Sequence, residues 1–244
     1  MPHMFVARPR LHDLIKEDPS VRDNFRWETI NAIIYKVGGV VFVVGSILFF
    51  PSMAAYADLG AWVFFIGSIL YLIVTGHDLA EVLRHAKHRQ RPASIWERLE
   101  AVAALSYVAG TLFFTFGSIF FLSSVGLFEL AAWFFIVGSI LFVVGAIVNV
   151  LQIVQAEDKI TLQLLNLTAL TFVVGSVLFV VASIPYLWAV NSPADQETID
   201  TFLAWQYLFG SCLFLLGGIF NYWHAWVFIK RQMKLLEQNR SPFT

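Results

Sequence analysis

The sequence predicts an all-α, polytopic membrane protein whose six transmembrane helices form three tandem hairpins in a pseudo-threefold repeat. Three observations predict it: a deficit of charge, six apolar runs of spanning length, and a glycine–serine pattern that recurs hairpin by hairpin. Of 244 residues, 58% are hydrophobic and 14% are charged. A soluble domain has roughly a quarter of its residues charged, because its surface must face water. So few charges leave lipid as the missing solvent, and 24 Phe and 8 Trp suit a lipid-facing surface. The formal net charge of −1 provides no field for a nucleic-acid partner. The single cysteine, Cys212, lies inside an apolar run, which rules out an intrachain disulfide.

Taken in order, the chain opens with a polar segment, residues 1–26, which lacks an apolar run over its first twenty positions. The first span is therefore expected to act as its own targeting signal. Ser20 with Asp23 resembles a capping box just after Pro19, so the first long helix is expected to begin near Val21. A span needs about 20 residues at a rise of about 1.5 Å each. Runs that qualify lie at 29–50, 59–76, 101–123, 129–153, 164–190 and 201–229. Pro51 is expected to end the first. The second is short before Gly76 and is expected to continue as helix into the polar segment beyond it. Between Leu187 and Asp200, Asn191, Ser192 and Pro193 predict the longest loop on the opposite side.

Loop charge sets the orientation. Arg84, Lys87, Arg89, Arg91 and Arg98 lie between spans two and three; Arg8, Arg10, Lys16, Arg22 and Arg26 precede the first; Lys230, Arg231, Lys234 and Arg240 follow the last. The other loops carry Asp58, Glu129, Asp195, Glu197 and Asp200 and no Lys or Arg. The positive-inside rule then predicts both termini in the cytoplasm of a multi-pass membrane protein. Trp62, Trp133 and Trp205 at one boundary and Trp27, Trp96, Trp223 and Trp226 at the other suit the headgroup level.

The internal repeat divides the chain into an N-terminal segment (1–26), hairpins at 27–90, 91–158 and 159–230, and a tail (231–244). Even spans read Ala61-Trp62-x4-Gly67-Ser68, Ala132-Trp133-x4-Gly138-Ser139 and Ala204-Trp205-x4-Gly210-Ser211. Odd spans read Tyr35-x2-Gly38-x3-Phe42-x2-Gly45-Ser46 and Tyr107-x2-Gly110-x3-Phe114-x2-Gly117-Ser118. The third copy is degraded to Phe172-x2-Gly175-x3-Phe179-x2-Ala182-Ser183. Glycines seven apart return to nearly one helical face. Lipid tails provide no hydrophobic drive for helices to associate, so such small-residue stripes are read as packing seams.

The stretch Trp27 to Tyr71, with Gly45-Ser46-Ile47-Leu48-Phe49 and Ala61-Trp62-x4-Gly67-Ser68, resembles the YrhK-like domain, a two-span hairpin module of bacterial membrane proteins. Residues 97–153 are similar to a second copy and 162–228 to a weaker third. The resemblance implies a fold and a membrane location, with no activity, cofactor or catalytic residue to carry over.

Polar residues recur in register too. Asp78, Asn149 and Asn221 each follow a repeat glycine by eleven positions, and Glu81, Gln152 and His224 come three further on, on the same helical face. Asn31 is expected near Asp78, and Thr168 or Asn166 near Asn221. These patches are read first as interhelical hydrogen bonding at the wet end of the bundle; the alternative is a site for an ion, a lipid headgroup or a small ligand. His77, Glu81, His85 and His88 have spacings that metal ligands on a helix use, but Arg84, Lys87 and Arg89 crowd them. Lys36 is expected to snorkel, with an ion pair to Asp78 as the alternative; Val108 and Val173 hold its place in the other copies.

Walker-type loops, His-Glu-x-x-His, Gly-x-Ser-x-Gly and Cys-x-x-Cys are missing from the sequence. The expectation is a structural or interaction module without enzymatic activity or cofactor, in contact with lipid and with copies of itself or partner membrane proteins. The competing readings are a channel or transporter along the pseudo-threefold axis and a lipid- or metal-binding protein. They differ in what fills the axis: polar residues for transport, or Phe42, Phe114 and Phe179 for a structural role.

Overall fold

The computed structural model describes residues 20–88, 91–152, 159–190 and 192–240, with the side chains of 20–28, 85, 88, 152, 228–229 and 231–240 left out. Six long helices follow one another: α1 (Ser20–Leu48), α2 (Ala57–His88), α3 (Ile95–Phe120), α4 (Phe128–Gln152), α5 (Lys159–Ser183) and α6 (Pro193–Arg240). All six are long and apolar enough to cross a membrane. Helix α2 continues well past Gly76, as its sequence suggests.

Three boundaries differ from the sequence reading. Helix α5 stops at Ser183, and Pro185 turns the chain through a 3-10 segment, Ile184–Leu187, because a proline inside a helix removes a hydrogen bond and clashes with the preceding turn. Helix α6 begins at Pro193, so the long loop expected to reach Asp200 is already helical. Proline at the first helical position loses nothing, since its missing N–H would have had no partner there. The third concerns α1, which ends at Leu48, three residues before Pro51; that proline opens a 3-10 segment, Pro51–Tyr56, leading into α2. The side chains of the expected Ser20–Asp23 capping box lie outside the described residues. A full capping box starts α3 instead: Ser94 Oγ accepts from Glu97 N–H, and Glu97 Oε2 accepts from Ser94 N–H at 2.7 Å.

Each helix packs on its chain neighbours, and α1 packs on α6, so the six close into a ring. Aliphatic residues such as Ile33, Val37, Val40, Val44 and Ile47 of α1 stay exposed on the outside, the face a lipid bilayer would cover. The inside is aromatic, and its residues follow a heptad. Helix α1 and the residue just past it place Tyr35, Phe42 and Phe49 inward; α3 and its C-cap place Tyr107, Phe114 and Phe121; α5 and the 3-10 segment after it place Phe172, Phe179 and Tyr186. The even helices add Phe64 and Tyr71, Phe135 and Phe142, and Tyr207 and Phe214.

These rings meet across the middle of the ring of helices. Phe42 and Phe114 have centroids 6.4 Å apart, Phe114 and Phe179 5.4 Å, Phe64 and Phe135 6.2 Å, and Phe64 and Tyr207 6.0 Å. Along hairpin α1–α2 the stack runs Phe49, Phe64, Phe42, Tyr71, Tyr35, each ring 4.3–5.1 Å from the next. Edge-to-face and offset pairs of this kind contribute about 0.5–1.5 kcal/mol each beyond area burial. The core is thus an aromatic plug.

The glycines make room for that plug. A Cβ on Gly138 would stand 2.7 Å from the Phe114 ring and 2.9 Å from Gly110 O, so the two backbones of hairpin α3–α4 touch where both side chains are missing. The same partners recur in register: Gly38 faces Tyr71, Gly110 faces Phe142 and Gly175 faces Phe214. Likewise Gly67 faces Phe42 and Gly210 faces Phe179, while Gly45 faces Phe64 and Gly117 faces Phe134 and Phe135. Where the third copy replaces the glycine, Ala182 is fully buried beside Ser183, which bonds the Tyr207 hydroxyl at 2.9 Å. Many serines and threonines inside the spans donate one turn back, as Ser46 does to Phe42 O, Ser68 to Phe64 O and Ser118 to Phe114 O, whereas buried Ser139 Oγ makes no hydrogen bond among the described residues.

Candidate polar site at the basic end

The inward heptad of the even helices changes chemistry at one end. Two turns past Tyr71, Phe142 and Phe214, on the same faces, stand Asp78, Asn149 and Asn221, at 6%, 2% and 4% exposure. This end also carries Arg84, Lys87, Arg91 and Arg98 and is called the basic end; Asp58, Glu129 and Asp195 lie at the acidic end. Since Phe142 and Phe214 approach to 6.2 Å across the ring, the faces that carry Asn149 and Asn221 converge beneath them.

The bonds at this level are few and defined. Asn149 donates from Nδ2 to the Tyr107 hydroxyl at 2.6 Å, and Asp78 lies within electrostatic reach of that same tyrosine. Asn31 Nδ2 pairs with His77 Nδ1 at 2.9 Å, joining α1 to α2 one residue from the expected partner, Asp78. His224 is buried. Glu81 is half-buried, and the side chain of Gln152 lies outside the described residues. Among the described residues, the carboxamide oxygens of Asn149 and Asn221 accept no hydrogen bond although fully enclosed. Such a buried acceptor costs about 1–3 kcal/mol of desolvation when left unmade.

Several expectations shift here. Thr168 is buried but donates back to Leu164 O, and Asn166 is exposed on the outer side of α5, so it is not a partner of Asn221. Lys36 places its Nζ 4.2 Å from the ring centroid of Tyr222, on α6. Asp78 is on α2, whereas Lys36 faces the α1–α6 seam. Glu100 of α3, which the sequence reading passed over, is buried at the same end. Its signal was available, since it stands one heptad before Tyr107 on the inward stripe. No group of three or more His, Cys, Asp or Glu among the described residues is placed to hold a metal ion. The side chains of His85 and His88 lie outside those residues.

A family model described as YrhK-like protein matches residues 25–83 and 97–154. The chain belongs to the YrhK-like family. The two matches coincide with α1–α2 and α3–α4, and each contains the ring-over-glycine contacts and one member of the polar layer, Asp78 or Asn149. Helices α5 and α6 lie outside both YrhK-like matches, yet Gly175–Phe214 and Gly210–Phe179 reproduce the same contacts. No curated protein and no solved structure matched the chain.

Proposed function

We propose that this YrhK-like protein is a closed, non-conducting membrane module, three hairpins about a pseudo-threefold axis, that acts through its outer surfaces and not as a channel or an enzyme. It sits in the bacterial inner membrane with both termini in the cytoplasm, packing with copies of itself or with partner membrane proteins. The observation that carries this reading is the aromatic plug: rings of Phe42, Phe114 and Phe179 and of Phe64, Phe135 and Tyr207 meet across the axis. A solute path needs either water or polar groups along its length, and the all-phenylalanine level of Phe42, Phe114 and Phe179 supplies neither. The orientation rests on the loop charges, and the lack of catalysis on the missing acid, base and nucleophile constellations.

Reconstitution tests it. Liposomes holding the purified chain should pass sodium, potassium, chloride and protons no faster than empty ones. A Phe114→Ala, Phe179→Ala double variant that stays folded should raise at least one of these fluxes. Wild-type flux well above the lipid background would overturn the reading in favour of a conduit.

A further inference from the structure

We infer that the polar layer under the aromatic plug is a binding site for a small hard monovalent cation, sodium or potassium, held by side-chain oxygens. This goes beyond the reading of a closed module, since the site does not depend on what the outer surfaces do.

Two independent observations carry it. The first is the pair of carboxamide oxygens, Asn149 Oδ1 and Asn221 Oδ1, enclosed by protein with no donor among the described residues. At Asn149, Nδ2 lies 2.6 Å from the Tyr107 hydroxyl and the carbonyl oxygen faces away from it. The second is the register. Both asparagines occupy the heptad position that Asp78 fills on α2, directly below the facing rings of Phe142 and Phe214. Three helices thus bring oxygen-bearing side chains to one level, and Glu100 adds a buried carboxylate at the same end.

The donor set selects the ligand. Carbonyl and carboxylate oxygens are hard ligands that favour alkali and alkaline-earth ions over zinc or copper. A divalent ion needs several carboxylates, and no three His, Cys, Asp or Glu converge among the described residues. Neutral amide oxygens with a carboxylate nearby are the set that replaces the hydration shell of a monovalent ion. Above the layer the plug closes the way, so a cation would reach the layer from the basic end.

The experiment uses the full chain in lipid nanodiscs. Thermal unfolding and calorimetric titration are compared in sodium chloride, potassium chloride and N-methylglucamine chloride at matched ionic strength. Saturable heat and a raised Tm in sodium or potassium, but not in N-methylglucamine, are expected, and the two alkali arms tell which ion is preferred. Asn149→Ala and Asn221→Ala should each weaken binding at least about tenfold. Asn166→Ala, on the exposed side of α5, should leave it unchanged. Identical melting and no saturable heat in all three salts would overturn the inference, as would wild-type affinity in both asparagine variants. Should either variant fail to fold, the three-salt comparison of the wild-type chain decides alone.

Discussion

The ring of helices has two kinds of boundary between hairpins. Seams α2–α3 and α4–α5 join helices that the chain already holds together, whereas α1–α6 brings together its two ends. In register, the loop-connected seams are bland. Where α1–α6 sets Lys36 over Tyr222, the equivalent repeat positions hold Val108 and Leu79, and Val173 and Val150. Where α1–α6 has Gly39 and Gly218, they have Thr111 with Thr75 and Ser176 with Ala146. Ser46 and Ser211 bond each other at 3.0 Å across the closing seam, while Ser118 donates only to its own helix. Tyr35 adds a long contact to Phe214 O at 3.5 Å and occupies the space above Gly218.

The difference has a physical source. A short connection keeps two helices at high effective concentration and limits their sliding, so non-specific apolar contact suffices there. Chain ends separated by four intervening helices have no such tether, and contact in lipid gains nothing from burial of apolar surface. Register at that seam therefore has to come from close approach, a cation over a ring and a hydroxyl pair. The loop-connected side has a polar tie of its own outside the core, where Asp58 accepts from Ser123 N–H and Oγ.

Substitutions break or sharpen this contrast in a definite order. The largest effect is expected from Gly218→Val: a Cβ there lies 2.5 Å from the Tyr35 ring, so α6 must withdraw from α1. A loss of about 3 kcal/mol in unfolding free energy, measured in mixed micelles, is expected, against about 1 kcal/mol for the equivalent Ala146→Val. Next comes Lys36→Met, which keeps the stem but removes the charge over Tyr222, for a loss of about 1 kcal/mol. The reverse change at a bland seam, Val108→Lys, should destabilise, because Leu79 takes the repeat position that Tyr222 holds at the closing seam. The smallest is Ser46→Ala, at about 0.6 kcal/mol for an interhelical hydroxyl bond, with Ser118→Ala costing less than half of that. Equal losses at matched positions of all three seams would remove the distinction.

Much of this was legible in the residues. Six apolar runs located the helices, since no soluble core explains so few charges, and the Gly-Ser pattern located the seams. Phe42, Phe114 and Phe179 were identifiable as the residues that would fill an axis under a structural role. The rest of the plug did not, because Phe64, Phe135 and Tyr207 sit among other large apolar residues, where hydropathy does not distinguish inside from outside. The usable signal was the seven-residue spacing of aromatics, running from Phe64 through Tyr71 to Asp78 and from Tyr107 through Phe114 to Phe121. Glu100 was passed over for the same reason. The partner of Lys36 was hidden because the α1–α6 contact arises from ring closure, which no local pattern encodes. Helix α6 began early because Pro193, read as a loop marker, also fits a first helical turn.

Closure of the ring is tested most directly by cross-linking in the native membrane. In a chain carrying Cys212→Ser, the pair Ser46→Cys and Ser211→Cys should form an intramolecular disulfide nearly to completion under mild oxidation, because the two hydroxyls lie 3.0 Å apart. Free thiols that persist, or a product running only as a cross-linked dimer, would contradict a ring in which α1 closes on α6.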